Sequence, residues 1–187
     1  LMRPHPIGYL AEAGPRLRAM GFRQMKMQCG SEPSLAASVE RVRVMREAVG
    51  PDVDLMCDIN QLWSVHHAIE VGRRVAPYQL YWLEDPVAHD DYAGLARVAG
   101  ALDTPIATGE YHYGIVPFRH LLEARALDIV MIDLLRAGAG KVATISIWLG
   151  RKRGNTSRSM NSRLPAPAQM MSSISRFAAT GLEANQR

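Results

Sequence analysis

The sequence predicts an α/β fold, a partial (β/α) barrel of about five strand–helix units followed by an irregular tail. Three observations carry that reading. Apolar runs end in a carboxylate at Asp58, Glu84, Glu110 and Asp133, spaced 26, 26 and 23 positions apart. Each interval holds one strand, one helix and two short loops, and carboxylates at successive strand ends are where a β/α barrel builds its site. Helix-period segments alternate with these runs, which argues parallel strands joined by right-handed crossovers. A doubly wound open sheet shares the alternation, but it gathers its polar residues at one switch point rather than at four strand ends.

Taken in order, residues 1–20 form an ambiguous lead-in, because Gly14-Pro15 interrupts a partly helical pattern over Leu10–Met20. Residues 21–138 carry the barrel units. Met25–Cys29 is a short strand, and Ser34–Val49 an amphipathic helix stopped by Gly50-Pro51. Strands follow at Asp54–Asp58, Leu80–Leu83, Ile106–Thr108 and Ile129–Asp133. Helices fall between them at Val65–Val75, Tyr92–Ala101 and Val116–Ala126. Residues 139–187 change character: Arg151–Gln169 is rich in Arg, Ser, Asn and Pro and shows no period.

Composition narrows the classes. The 187 residues are 48% apolar and 21% charged, enough for one globular domain but short of a complete barrel of about 250 residues. The net charge of +4 belongs to the tail, where eight Lys or Arg after Gly140 face one acid, Glu183. No aromatic interleaving accompanies that basic run, so no nucleic-acid partner is expected. No apolar run reaches membrane-span length and no signal layout opens the chain, so a cytoplasmic protein with no membrane partner is expected. Cys29 and Cys57 make neither a metal spacing nor a disulfide framework, and read as small apolar fillers.

Residues two apart on a strand share a face. Lys26 and Gln28, Asp58 and Asn60, and Trp82 and Glu84 therefore pair on the inward side, with Glu110 and Asp133 at later strand ends. Asp58, Glu84 and Glu110 together offer hard oxygen donors suited to a divalent cation such as Mg²⁺. Three helix caps need not share one position per unit, which favours the metal reading of the three together. Asp85, Asp90 and Asp103 read instead as caps or solvated loop residues. His112, two residues after Glu110, is a candidate for reaching a substrate, although a loop histidine is the commoner case.

The stretches G-F-R-Q-M-K-M-Q (Gly21–Gln28), D-I-N (Asp58–Asn60), W-L-E-D-P (Trp82–Pro86), A-T-G-E (Ala107–Glu110) and I-V-M-I-D-L-L-R-A-G (Ile129–Gly138) resemble the enolase superfamily. The branch they resemble is the mandelate racemase/muconate lactonizing enzyme-like one, whose C-terminal domain is a TIM-type barrel. The resemblance implies that Asp58, Glu84 and Glu110 bind Mg²⁺. It implies that Lys26 opens a Lys-x-Lys motif and that Asp133 is the carboxylate of a His–Asp catalytic pair. Gln28, Asn60 and His112 would then face the substrate, a small-molecule sugar acid. Members abstract the proton α to a carboxylate. An acid-sugar dehydratase is the leading expectation, homo-oligomeric at full length. A racemase or epimerase of a 2-hydroxy acid and a non-catalytic metal-binding fragment are the alternatives.

Several residues depart from the family. Gln28 replaces the second lysine, which weakens the racemase reading because a racemase needs bases on both faces. No histidine follows His120, so the partner of Asp133 expected near position 160 is missing, and the fragment should be impaired. No stretch matches the family's capping domain. A frameshift near Ala139 would account for both the Arg/Ser-rich tail and the lost histidine.

Overall fold

The computed structural model describes residues 5–138. The expected tail, its missing histidine and the proposed frameshift lie outside the described residues. Five parallel strands form one sheet in the order β1-β2-β3-β4-β5, so each new strand is added beside the last. No reversal of order occurs among them, which is the open arc of a barrel and not a doubly wound sheet.

The strands are β1 (Gln24–Gln28), β2 (Asp54–Asp58), β3 (Trp82–Glu84), β4 (Ile106–Thr108) and β5 (Ile129–Val130). The helices are α1 (Ile7–Ala19), α2 (Leu35–Val49), α3 (Val65–Val75), α4 (Tyr92–Ala101), α5 (Val116–Glu123) and α6 (Leu134–Ala137). Met25 and Met27 of β1, Leu55 and Cys57 of β2, Leu83 of β3 and Ile106 of β4 are buried in one core with Val42, Met45, Val71, Leu95, Val98 and Leu121 of the helices. Gln24 and Lys26 alternate with the β1 methionines and stay exposed. The period-2 pattern thus separates a helix-covered face from the face that carries the polar residues.

Local signals set the helix ends. Ser34 Oγ accepts from Ala37 N, Ser64 Oγ from His67 N and an Asp91 oxygen from Gly94 N, each an N-cap on the helix that follows. Gly50 closes α2 at φ 77°, a backbone state that suits glycine. Two expectations change. Helix α1 runs unbroken through Pro15. Pro15 is exposed, as is Ala11, whose carbonyl the proline leaves without its helical donor, while the adjacent Gly14 is buried against α2. A Cβ on Gly14 would stand 3.0 Å from Ala48 Cβ and 3.1 Å from Val49 Cγ1. Strand β5 is also shorter than Ile129–Asp133, because Asp133 turns the chain into α6.

Candidate metal centre

The sheet register lines the polar residues up. Gln28 stands beside Asp58, and Asp58 beside Glu84, in one row across the C-terminal ends of β1, β2 and β3. Lys26 stands one step behind on the same face. Its Nζ donates to Glu84 Oε1 at 2.6 Å and lies 3.5 Å from Asp58 Oδ2. The second Glu84 oxygen accepts from Trp82 Nε1 at 3.0 Å. Glu84 is fully buried, Asp58 is 5% exposed, and the Lys26 side chain is 39% exposed.

Burial sets the electrostatics. It pushes Glu84 upward, against the bond and the charge of Lys26 that pull it down. For Lys26, burial works against the ammonium, but the bond to Glu84 and the charges of Glu84, Asp58 and Glu110 outweigh it. Lys26 is therefore held protonated, above its ordinary range. In this arrangement it is a cation between two carboxylates and not a free base.

Asn60, at φ 54°, directs its backbone N–H onto Asp58 Oδ1 at 3.0 Å. Its side-chain oxygen accepts from the Tyr111 hydroxyl at 2.9 Å, which ties the β2 loop to the β4 loop. Glu110 follows Gly109, and that glycine is needed: at φ 133° an added Cβ would meet Met131 O at 2.4 Å. Only a residue without a side chain lets the end of β4 come this close to the chain beyond β5.

Asp85 departs most from the sequence reading. It is neither a cap nor solvated: it is 1% exposed, and its Oδ1 accepts from Thr108 Oγ1 at 2.5 Å. Burial, followed by the charges of Glu110, Glu84 and Asp58, raises it to about 7 despite the Thr108 bond. One oxygen each from Glu84, Asp85 and Glu110 lies within 4.8 Å of the others. In the structure Asp85 sits inside an unbroken buried run from Leu83 to Val87.

The structure does not bring every expected residue to this cluster: Asp58 stands beside Glu84 in the strand row, but it is not among the three carboxylates whose oxygens converge. Asp133 Oδ1 accepts from Leu135 N and Arg136 N at the start of α6, and Oδ2 lies 3.6 Å from Arg136 Nε. His112 is 4% exposed, enclosed by the rings of Tyr92, Phe118 and His89. Burial and then the neighbouring His89 lower it to about 4, so it is a neutral residue of the helix-facing layer. Asp90 and Asp103 are exposed, in keeping with the loop reading. Sequence reasoning also missed the ion pair of Glu32 with Arg41, which fastens the loop after β1 onto α2.

The cluster consists of hard oxygen donors, and Asp85 Oδ2 is buried with no hydrogen-bond partner among the described residues. A cation would satisfy that oxygen, so the residues present fit a divalent metal.

Parallel strands in sequential order, with carboxylates converging at their C-terminal ends, are the layout of a (β/α)-barrel enzyme domain. The chain belongs to the enolase C-terminal domain-like family, whose model matches residues 9–149. It is 38% identical over 121 residues to L-talarate/galactarate dehydratase of Salmonella typhimurium, covering 65% of this chain and 30% of that one. A racemase from Streptomyces coelicolor with bound magnesium superposes with a TM-score of 0.74 at 32% identity, covering 79% of this chain and 42% of that one. L-Talarate dehydratase from Polaromonas, complexed with Mg and L-glucarate, superposes with a TM-score of 0.71 at 33% identity, covering 78% and 42%. The chain spans less than half the length of these relatives. No described helix is long and apolar enough to cross a membrane.

Proposed function

We propose that the strand-end cluster serves Mg²⁺-dependent removal of the proton α to a carboxylate, with dehydration of a sugar acid as the reaction of the whole protein. The observation that carries this is the junction of Lys26 with Glu84 and Asp58 on one row of strand ends. Asp58, Glu84 and Glu110 would hold the ion. When bound, Mg²⁺ supplies positive charge that stabilises the negative charge developing on the substrate carboxylate.

The protein groups have distinct tasks in this reading. Lys26, protonated beside Glu84, draws the anionic substrate to the row. If Glu84 turns to a cation, the bond that holds the Lys26 proton is lost, and nearby positive charge lowers its pKa towards the working range of a base. Gln28 and Asn60 flank the row as hydrogen-bonding groups for substrate oxygens, with Asn60 fixed by Tyr111. Asp133, occupied as a cap, would need to leave the start of α6 to support a histidine.

The racemase likeness favours a second reading, exchange of configuration at the α-carbon. One experiment separates the two. The chain is incubated with Mg²⁺ and a panel of aldarates and aldonates in D₂O, with NMR detection. Dehydration gives a 2-keto-3-deoxy acid, whereas racemisation gives α-deuterated substrate of both configurations. Absence of product and of α-exchange across the panel, together with no Mg²⁺ binding by the chain, would overturn the proposal.

A further inference from the structure

We propose that Asp85 is a fourth carboxylate of the metal centre, anchored through one oxygen by Thr108 so that the other is available to the cation. The inference rests on the metal reading above and extends it to a residue that the sequence assigned to a loop. Its footing is an imbalance in hydrogen bonding. Asp85 is 1% exposed, Oδ1 has Thr108 as partner, and Oδ2 has none among the described residues. Native structures leave few buried polar atoms without a partner, because an unmet carboxylate oxygen forfeits its hydration for nothing.

The surroundings indicate what the missing partner is. An Asp85 oxygen lies within 4.8 Å of oxygens from Glu84 and Glu110, both acceptors. A hydrogen-bond donor could satisfy one of the three, but a divalent cation satisfies all at once. Lys26 does not serve: its Nζ is engaged by Glu84 and Asp58.

The backbone holds Asp85 in this position. It sits at φ 42°, an unusual state for a residue with a side chain. Its N–H donates to Ala107 O at 2.9 Å and its carbonyl accepts from Gln61 N at 2.7 Å. Asp85 is thereby joined to β4 and to the loop after β2, the segments that present Glu110 and Asp58. A residue that served only to tie loops together would not require a charged group, since asparagine accepts from Thr108 equally well.

That difference defines the test. Mg²⁺ affinity is measured by calorimetry on the full chain at pH 8, alongside the melting temperature without metal. Asp85→Asn should melt at the wild-type temperature or above it without metal, yet bind Mg²⁺ about tenfold or more weakly. Thr108→Val should weaken Mg²⁺ binding in the same direction, and Thr108→Ser should restore it. Should Asp85→Asn fail to fold, the Thr108 pair decides. Asp85→Asn binding Mg²⁺ as tightly as wild type, while Glu84→Gln does not, would overturn the role of Asp85 and leave the metal reading standing. Thr108→Val binding like wild type would overturn the anchor. A wild-type chain that binds no Mg²⁺ overturns both readings.

Discussion

The rim above β1–β3 and the rim above β5 carry the same kind of residue in different states. At the first, Glu84 and Asp58 are buried and share Lys26. At the second, Asp133 is half-exposed and both of its oxygens are engaged at α6. A carboxylate after a strand can thus be a ligand in waiting or a cap, and sequence position alone does not separate the two. The distinguishing feature is what the next residues do. Pro86 and Val87 keep the chain after Glu84 out of a helix, whereas Leu134 begins one directly after Asp133.

Replacing Lys26 should break this comparison most visibly. Lys26→Met leaves Glu84 buried without its cation, which should cost about 1–3 kcal/mol at pH 8. That lies below the value for a fully enclosed pair, because the Lys26 ammonium reaches solvent. The same change should tighten Mg²⁺ binding, since the competing cation is gone. Chemical denaturation with and without Mg²⁺ measures both effects; a variant of unchanged stability would mean that the first rim is no more cross-linked than the second.

The pH dependence sharpens the contrast between buried groups. Asp85 is raised to about 7 from 3.8, so between those values the folded state binds the extra proton and metal-free stability falls as pH rises. His112 is lowered to about 4 from 6.5, so over that interval the unfolded state binds more protons and stability rises with pH. Each slope approaches about 1.4 kcal/mol per pH unit, and between pH 4.5 and 6 they oppose each other. The contributions of these two groups should nearly cancel there. Asp85→Asn should gain stability with rising pH, and His112→Gln should lose it. Parallel profiles for all three would contradict these assignments.

The smallest effect belongs to the second rim. Asp133→Ala removes an N-cap and should cost about 1 kcal/mol in thermal or urea unfolding. Mg²⁺ affinity should be unchanged. A large loss of Mg²⁺ binding in this variant would place Asp133 with the metal cluster and erase the distinction between the rims.

The legible and illegible parts of the fold divide along the same physical line. Strands β1 to β4 and the helices between them follow from periodicity and caps, because their apolar faces and Ser34, Ser64 and Gly50 act locally. The row of Lys26, Asp58 and Glu84 was legible for the same reason, since strand alternation fixes which side chains share a face. Continuation of α1 through Pro15 was not, because it depends on which side of the helix faces water. Asp85 was misread because an Asp-Pro pair after a strand looks local, whereas its partner, Thr108, arrives from the next strand. His112 was misread because the enclosing rings of Tyr92 and Phe118 come from two different helices.

The proposed divalent cation on the carboxylates of the first rim should be visible in binding. Calorimetric titration of Mg²⁺ into the wild-type chain and Glu84→Gln at pH 8 tests it most directly. The wild type should show one site and the variant a loss of roughly 100-fold or more in affinity, a larger penalty than the loss of an outer supporting residue. Equal affinity in the two proteins, or no binding by the wild type, would contradict it.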